Sequence, residues 1–163
     1  MGGKRLALLV VALLAVGGVS YSAWRYVSER EGKICKACSR PVHQHSRTAA
    51  MVDGRRGAYC CPACALSEHQ QEARPVEIVE LSDYLDGHPL KPADAFIVKS
   101  SDVNPCLQHG ATVSPDGQPM HSSFDRCSPS MLAFGRLASA QAFAHQHGGQ
   151  VMRFAELASQ FRQ

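Results

Sequence analysis

The hydrophobic pattern changes character once, near residue 25. Residues 6–24 carry no charge and follow Lys4 and Arg5, whereas the remainder alternates short apolar runs with polar turns. An uncharged stretch of that length can span a bilayer, which takes roughly 20 residues, while a signal peptide has a shorter apolar core of about 7 to 15. The segment therefore reads as an uncleaved N-terminal anchor, with cleavage after Gly18 or Ser20 as the other reading. Both export the rest of the chain. Trp24 and Tyr26 stand where interfacial aromatics are expected, and the polar residues 27–33 make a short tether.

Beyond the tether the periodicity predicts short elements. Thr48–Val52 and residues 57–60 read as strands around a turn opened by Asp53-Gly54, a pair that favours a hairpin. Pro62 suits the first turn of a helix, and residues 63–73 continue it with helix formers. Residues 76–81 and 95–98 read as strands able to pair with each other. Residues 101–130, rich in Pro, Ser, Gly and Asp, read as a long loop. Ser139 is expected to cap a helix through His147 that Gly148-Gly149 ends, before a strand at 150–154 and a short helix at 155–161. Strand, strand, helix thus occurs twice. The predicted fold is α+β, two small strand-strand-helix layers after an N-terminal transmembrane helix.

Charge narrows the partners. The chain has 17 basic and 14 acidic side chains; removing Lys4, Arg5, Arg25, Arg30 and Glu29 leaves 13 of each, so the net +3 belongs to the membrane-proximal end. Nothing in that balance points to nucleic acid.

Seven cysteines carry the candidate chemistry. Cys35-Lys36-Ala37-Cys38 and Cys61-Pro62-Ala63-Cys64 are two chelating pairs, and four thiolates complete the closed tetrahedral site of Zn(II). Soft sulfur donors suit Cu(I) equally. Cys60 is a fifth thiol that a structural zinc knuckle does not need. An exported chain would normally pair its cysteines as disulfides, but the count is odd and the spacing is that of metal knuckles. The second pair sits at a helix N-terminus, where backbone N–H groups stabilise thiolate charge. Cys106 and Cys127 most simply form a disulfide; with His109, Met120 and His121 in the same loop, a second soft-metal site is the other reading. His43 and His45 are loop residues or auxiliary ligands, Met51 is core filler, and helix capping accounts for His145 and His147. Ser39 and Ala65 occupy the positions where haem attachment requires His. No Ser-His-Asp, paired-carboxylate or phosphate-loop arrangement is present, and the chain does not read as an enzyme.

The carboxy-terminal half resembles a known family. Val79-Glu80-Leu81-Ser82-Asp83-Tyr84, the run from Asp94 through Phe96-Ile97-Val98-Lys99 to Val103, Ser128-Pro129-Ser130-Met131-Leu132-Ala133-Phe134, and Ala140-Gln141-Ala142-Phe143 through Gly148-Gly149-Gln150-Val151 are similar, in order and spacing, to the NosL family of copper-binding accessory proteins of nitrous oxide reductase. The resemblance spans roughly residues 35–158. It implies an exported, membrane-tethered Cu(I) carrier, with the family's Cys-x-x-Cys on Cys35 and Cys38, its strand-and-Cys segment at 59–64, and its Pro-Met copper-binding region near Pro129 and Met131. Three departures stand out. Ser39-Arg40 replaces the usual Gly-Met, an apolar anchor replaces the lipid-attachment Cys, and residues 104–127 are an insertion bringing an extra Cys pair. The segment from Cys35 to Cys64 also looks like the treble-clef knuckles of TRASH and YHS-type modules.

The resulting expectation is a tether over residues 1–30 and a NosL-like domain over 31–163. That domain would face the periplasm or cell exterior and hold Cu(I) through Cys35, Cys38, Cys60, Cys61, Cys64 and Met131. Cys35, Cys38, Cys61 and Cys64 are expected to converge on one ion for delivery to a cuproenzyme such as nitrous oxide reductase. The alternatives are a structural Zn(II) knuckle protein that binds a membrane partner and a thiol oxidoreductase using Cys35 and Cys38.

Overall fold

The computed structural model describes residues 16–22, 25, 32–107 and 125–161. The chain divides into two compact units, Met1–Glu31 and Gly32–Gln163. In the first, residues 16–22 are helical and exposed, and among the described residues no helix is long and apolar enough to cross a membrane. Most of the expected span at 6–24 lies outside the described residues, as do Tyr26, His109, Met120 and His121.

The second unit holds two small antiparallel sheets. In the first sheet β1 (Thr48–Val52) and β2 (Arg55–Tyr59) form a hairpin whose two connecting residues, Asp53 and Gly54, both have positive φ, 50° and 73°. That geometry matches the right-handed twist of the flanking strands. β2 starts two residues earlier than the turn pattern suggests, since Arg55 already pairs with Val52. β3 (Val76–Ser82) lies on the other side of β1, and β4 (Pro89–Leu90) closes the order β2-β1-β3-β4. Helix α1 (Pro62–Glu72) begins with Pro62 in its first turn and ends at Ala73 in the left-handed region.

The second sheet has the order β6-β5-β7, from β5 (Phe96–Lys99), β6 (Met131–Phe134) and β7 (Gln150–Arg153), followed by α3 (Phe154–Gln160). Helix α2 (Leu137–His147) has Arg136 as its N-cap, three residues before the expected Ser139 cap. The pairing expected between 76–81 and 95–98 does not occur: β3 pairs with β1 and β4, and β5 with β6 and β7. Apolar and polar alternation marks which face of a strand is buried but does not name the strand beside it.

Period-two alternation explains how the second sheet positions the site. Ile97, Ala133 and Met152 are in register with one another and belong to the core that contains the cysteines, while Val98 and Leu132 belong to a second cluster with Phe134 and Ala140 of α2. Met131, two residues before Ala133, falls on the cysteine side. On the far side Tyr84, Phe134 and Phe143 pack edge-on or tilted, with centroids 5.1–5.9 Å apart. Buried Asp83 links the sheets: its two carboxylate oxygens accept the Leu85 and Gly135 N–H groups at 2.8 and 2.7 Å, and it bridges to Ala133.

Candidate metal centre

Cys35 to Arg40 form a knuckle closed by the Ile34–Pro41 bridge. The Cys35 N–H donates to the Arg40 carbonyl, and the Ser39 N–H donates to the Cys35 carbonyl. Ser39 adopts φ 58°, the left-handed conformation that a glycine at this position would supply at less cost. The Lys36 N–H bonds the Ala58 carbonyl, which docks the knuckle on β2 directly before the second cysteine group.

At that second group the backbone sorts two adjacent thiols. Cys61 is the extended N-cap of α1, with φ −162° and ψ 164°, and neighbours in extended chain point to opposite sides. Cys60 precedes the cap and Cys64 lies in the first turn of the helix. Their sulfurs are 3.5 Å apart. The first four-thiol group is therefore Cys35, Cys38, Cys60 and Cys64, with ligand atoms all within 4.8 Å of one another. This corrects the expected quartet, in which Cys61 stood in the place of Cys60.

Cys61 joins a second group with Cys60, Cys106 and Cys127, again within 4.8 Å. Cys106 and Cys127 are not joined as a disulfide; all seven cysteines are free thiols. Asn104 fixes the new pair, accepting the Cys106 N–H at 3.2 Å and donating to the Cys127 carbonyl at 2.9 Å. The two groups interlock: Cys60 is 3.6 Å and Cys64 3.3 Å from Cys127, and Cys38 is 3.5 Å from Cys60. Sequence spacing offered no sign that Cys106 and Cys127 would reach this site.

Seven thiols at such separations cannot all ionise, because each thiolate disfavours the next. They settle as S–H donors beside S⁻ acceptors. Cys35 is lowered to about 6: its contact with Cys38 opposes ionisation, and those with Cys60 and Cys64 favour it. Cys38 is lowered to about 3, the Cys127 contact opposing and the Cys35, Cys60 and Cys64 contacts favouring the thiolate. Cys61 and Cys127 are also lowered, in each case chiefly through Cys106. Cys60 is pushed up, chiefly by Cys106, while Cys64 and Cys106 are pushed up chiefly by Cys127. The Arg40 guanidinium supplies fixed positive charge. It grips Asp125 through both terminal nitrogens at 2.8 and 2.6 Å and lies 3.1 Å from the Cys127 sulfur.

These directions set a pH profile for the reduced, metal-free chain. The lowered thiols contribute stability that is present above the ordinary thiol value of 9.0 and lost as pH falls toward about 6 for Cys35. The raised thiols contribute stability that is present below that value and lost above it. Urea unfolding midpoints are expected to rise from about pH 6 to about pH 9 and to fall beyond, and a midpoint flat across that window would contradict the shared-proton network.

The remaining candidates differ in where they sit. Met131 opens β6 as a strand residue, 2% exposed, within the cysteine-bearing core. Met51 is half-buried on β1 and lines an apolar cavity of about 770 Å³ with Leu66, Ile78 and Phe154. His45 bonds the Tyr84 carbonyl through Nδ1, and His147 pairs with Asp102 at 3.1 Å at the end of α2. Neither belongs to a thiol group, and nor does His43.

No protein-family model matches the sequence, and no curated protein does. Among solved structures, the chain is similar to the crystal structure of the copper chaperone NosL from Shewanella denitrificans, with a TM-score of 0.46 and 17% identity over 76% of this chain and 87% of that one.

Proposed function

We propose that this chain is a metal-binding carrier that holds Cu(I) on buried thiolates and passes it to a cuproenzyme outside the cytoplasm. The observation that carries the reading is the quartet Cys35, Cys38, Cys60 and Cys64, assembled from two segments with its sulfurs already within 4.8 Å of one another. Soft thiolates select Cu(I) or Zn(II) over harder ions. A thiol oxidoreductase needs only one pair, whereas here every cysteine converges on one place. Cu(I) is favoured over a closed zinc knuckle because the quartet adjoins further thiols, between which a mobile ion can exchange. In this reading Met131 contributes a neutral thioether to retention, residues 6–24 tether the chain to the membrane, and the recipient is a copper enzyme such as nitrous oxide reductase. Nitrous oxide reductase enters through the family resemblance of the sequence.

The reading is tested on full-length chain, purified anaerobically and titrated with Cu(I) against a chromogenic chelator. On the scale of a structural Zn(II) site in a zinc-finger peptide, about 12 kcal/mol over four ligands, each sulfur is worth about 3 kcal/mol. The Cys35→Ser, Cys38→Ser double variant loses two of those sulfurs, about 6 kcal/mol, and is expected to release the ion of this quartet about ten-thousandfold more readily than the parent. An equal number of copper ions left on the two after competition would reject the quartet as a copper site.

A further inference from the structure

The geometry points to a polynuclear centre: two or more Cu(I) ions held in one thiolate cluster, with the Cys60 sulfur shared between the two groups. The inference rests on the copper-binding reading above and specifies how much metal that site takes.

One ion accepts at most four thiolates, and seven are present. After one ion occupies Cys35, Cys38, Cys60 and Cys64, the remaining Cys61, Cys106 and Cys127 are no more than 3% exposed and still surround one side of Cys60. Thiolates bonded at about 2.3 Å to a tetrahedral ion lie about 3.8 Å apart. The separations in the structure, 3.6 Å for Cys60 to Cys127 and 4.0 Å for Cys60 to Cys61, are already close to that spacing. They are far from the roughly 2.05 Å of a disulfide. Two four-coordinate groups that share one member need seven sulfurs, which accounts for the odd number of cysteines.

The second group is also built. Asn104 ties the backbones of Cys106 and Cys127 together, Asp125 accepts the Cys127 N–H at 2.8 Å, and Arg40 reaches the Cys127 sulfur. Loading changes no oxidation state: Cu(I) replaces thiol protons, which leave to solvent.

The test uses full-length chain, reduced and anaerobic, titrated with Cu(I) and read by native mass spectrometry and X-ray absorption. At least two equivalents are expected, with a copper–copper distance below about 4.6 Å, the limit set by two bonds to one shared sulfur. The Cys35→Ser, Cys38→Ser variant and the Cys106→Ser, Cys127→Ser variant should each retain one ion and lose the copper–copper signal. A single equivalent on the parent overturns the cluster and leaves the carrier intact, whereas no bound copper overturns the carrier itself. Two ions without a copper–copper signal, or unchanged loading in both variants, place the metal elsewhere and overturn the sharing. The parent measurement decides even where a variant fails to fold.

Discussion

Cys60→Ser is expected to weaken retention of the most tightly held Cu(I) about a hundredfold, while Cys61→Ser, one residue along, costs less than about tenfold. The asymmetry follows from which way each sulfur faces. Cys60 sits with Cys35, Cys38 and Cys64 and also belongs to the second group, so its loss removes a donor from both. Losing Cys61 leaves the first quartet whole. Serine keeps nearly the same volume but places a hydroxyl where the cysteine is fully buried, at a folding cost of about 1–3 kcal/mol if it lacks a partner. Chelator competition should therefore be paired with an unfolding curve, and equal losses from the two variants would refute the partition.

The second large effect concerns the guanidinium. Arg40→Met is expected to destabilise the reduced chain by about 2 kcal/mol, between the value below 1 typical of exposed ion pairs and the 3–5 of fully buried ones. Its ion pair with Asp125 is bidentate, with side chains 28% and 17% exposed, and it joins the first knuckle to the segment that presents Cys127. Removing the cation leaves a carboxylate beside a thiol drawn toward its ionised form. A cycle with Asp125→Asn isolates the pair: the double variant should lose clearly less than the sum of the single losses, and additivity would show that the contact contributes nothing. Methionine stands at this position in the family that the sequence resembles, so the same variant asks whether a thioether can substitute for a charge.

Local chemistry accounts for the part of the fold that is legible in the sequence. The Asp53-Gly54 hairpin and the helix opened by Pro62 depend on residues close together in the chain, whereas the second strand-strand-helix repeat does not form as expected, because four strands lie between the first two helices. β6 is not legible, because Met131 to Phe134 pair with β5 across more than thirty residues, without an alternating pattern. The cysteine spacing discloses a metal site but not its membership. Choosing between Cys60 and Cys61 requires the extended backbone at the helix cap, and including Cys106 and Cys127 requires tertiary contacts that no spacing rule encodes.

Burial around the sulfurs is uneven, and that bears on how a tightly bound ion leaves. Six of the seven thiols are at most 3% exposed, and Cys38 alone is partly open to solvent. In the proposed copper-loaded state an incoming donor would therefore reach the ion beside Cys38, adding to the metal before that thiolate leaves. Exchange then proceeds one ligand at a time from that edge inward. A carrier built as proposed would be tight at equilibrium and quick toward a docked recipient, while a bulky chelator in free solution would meet only its rim.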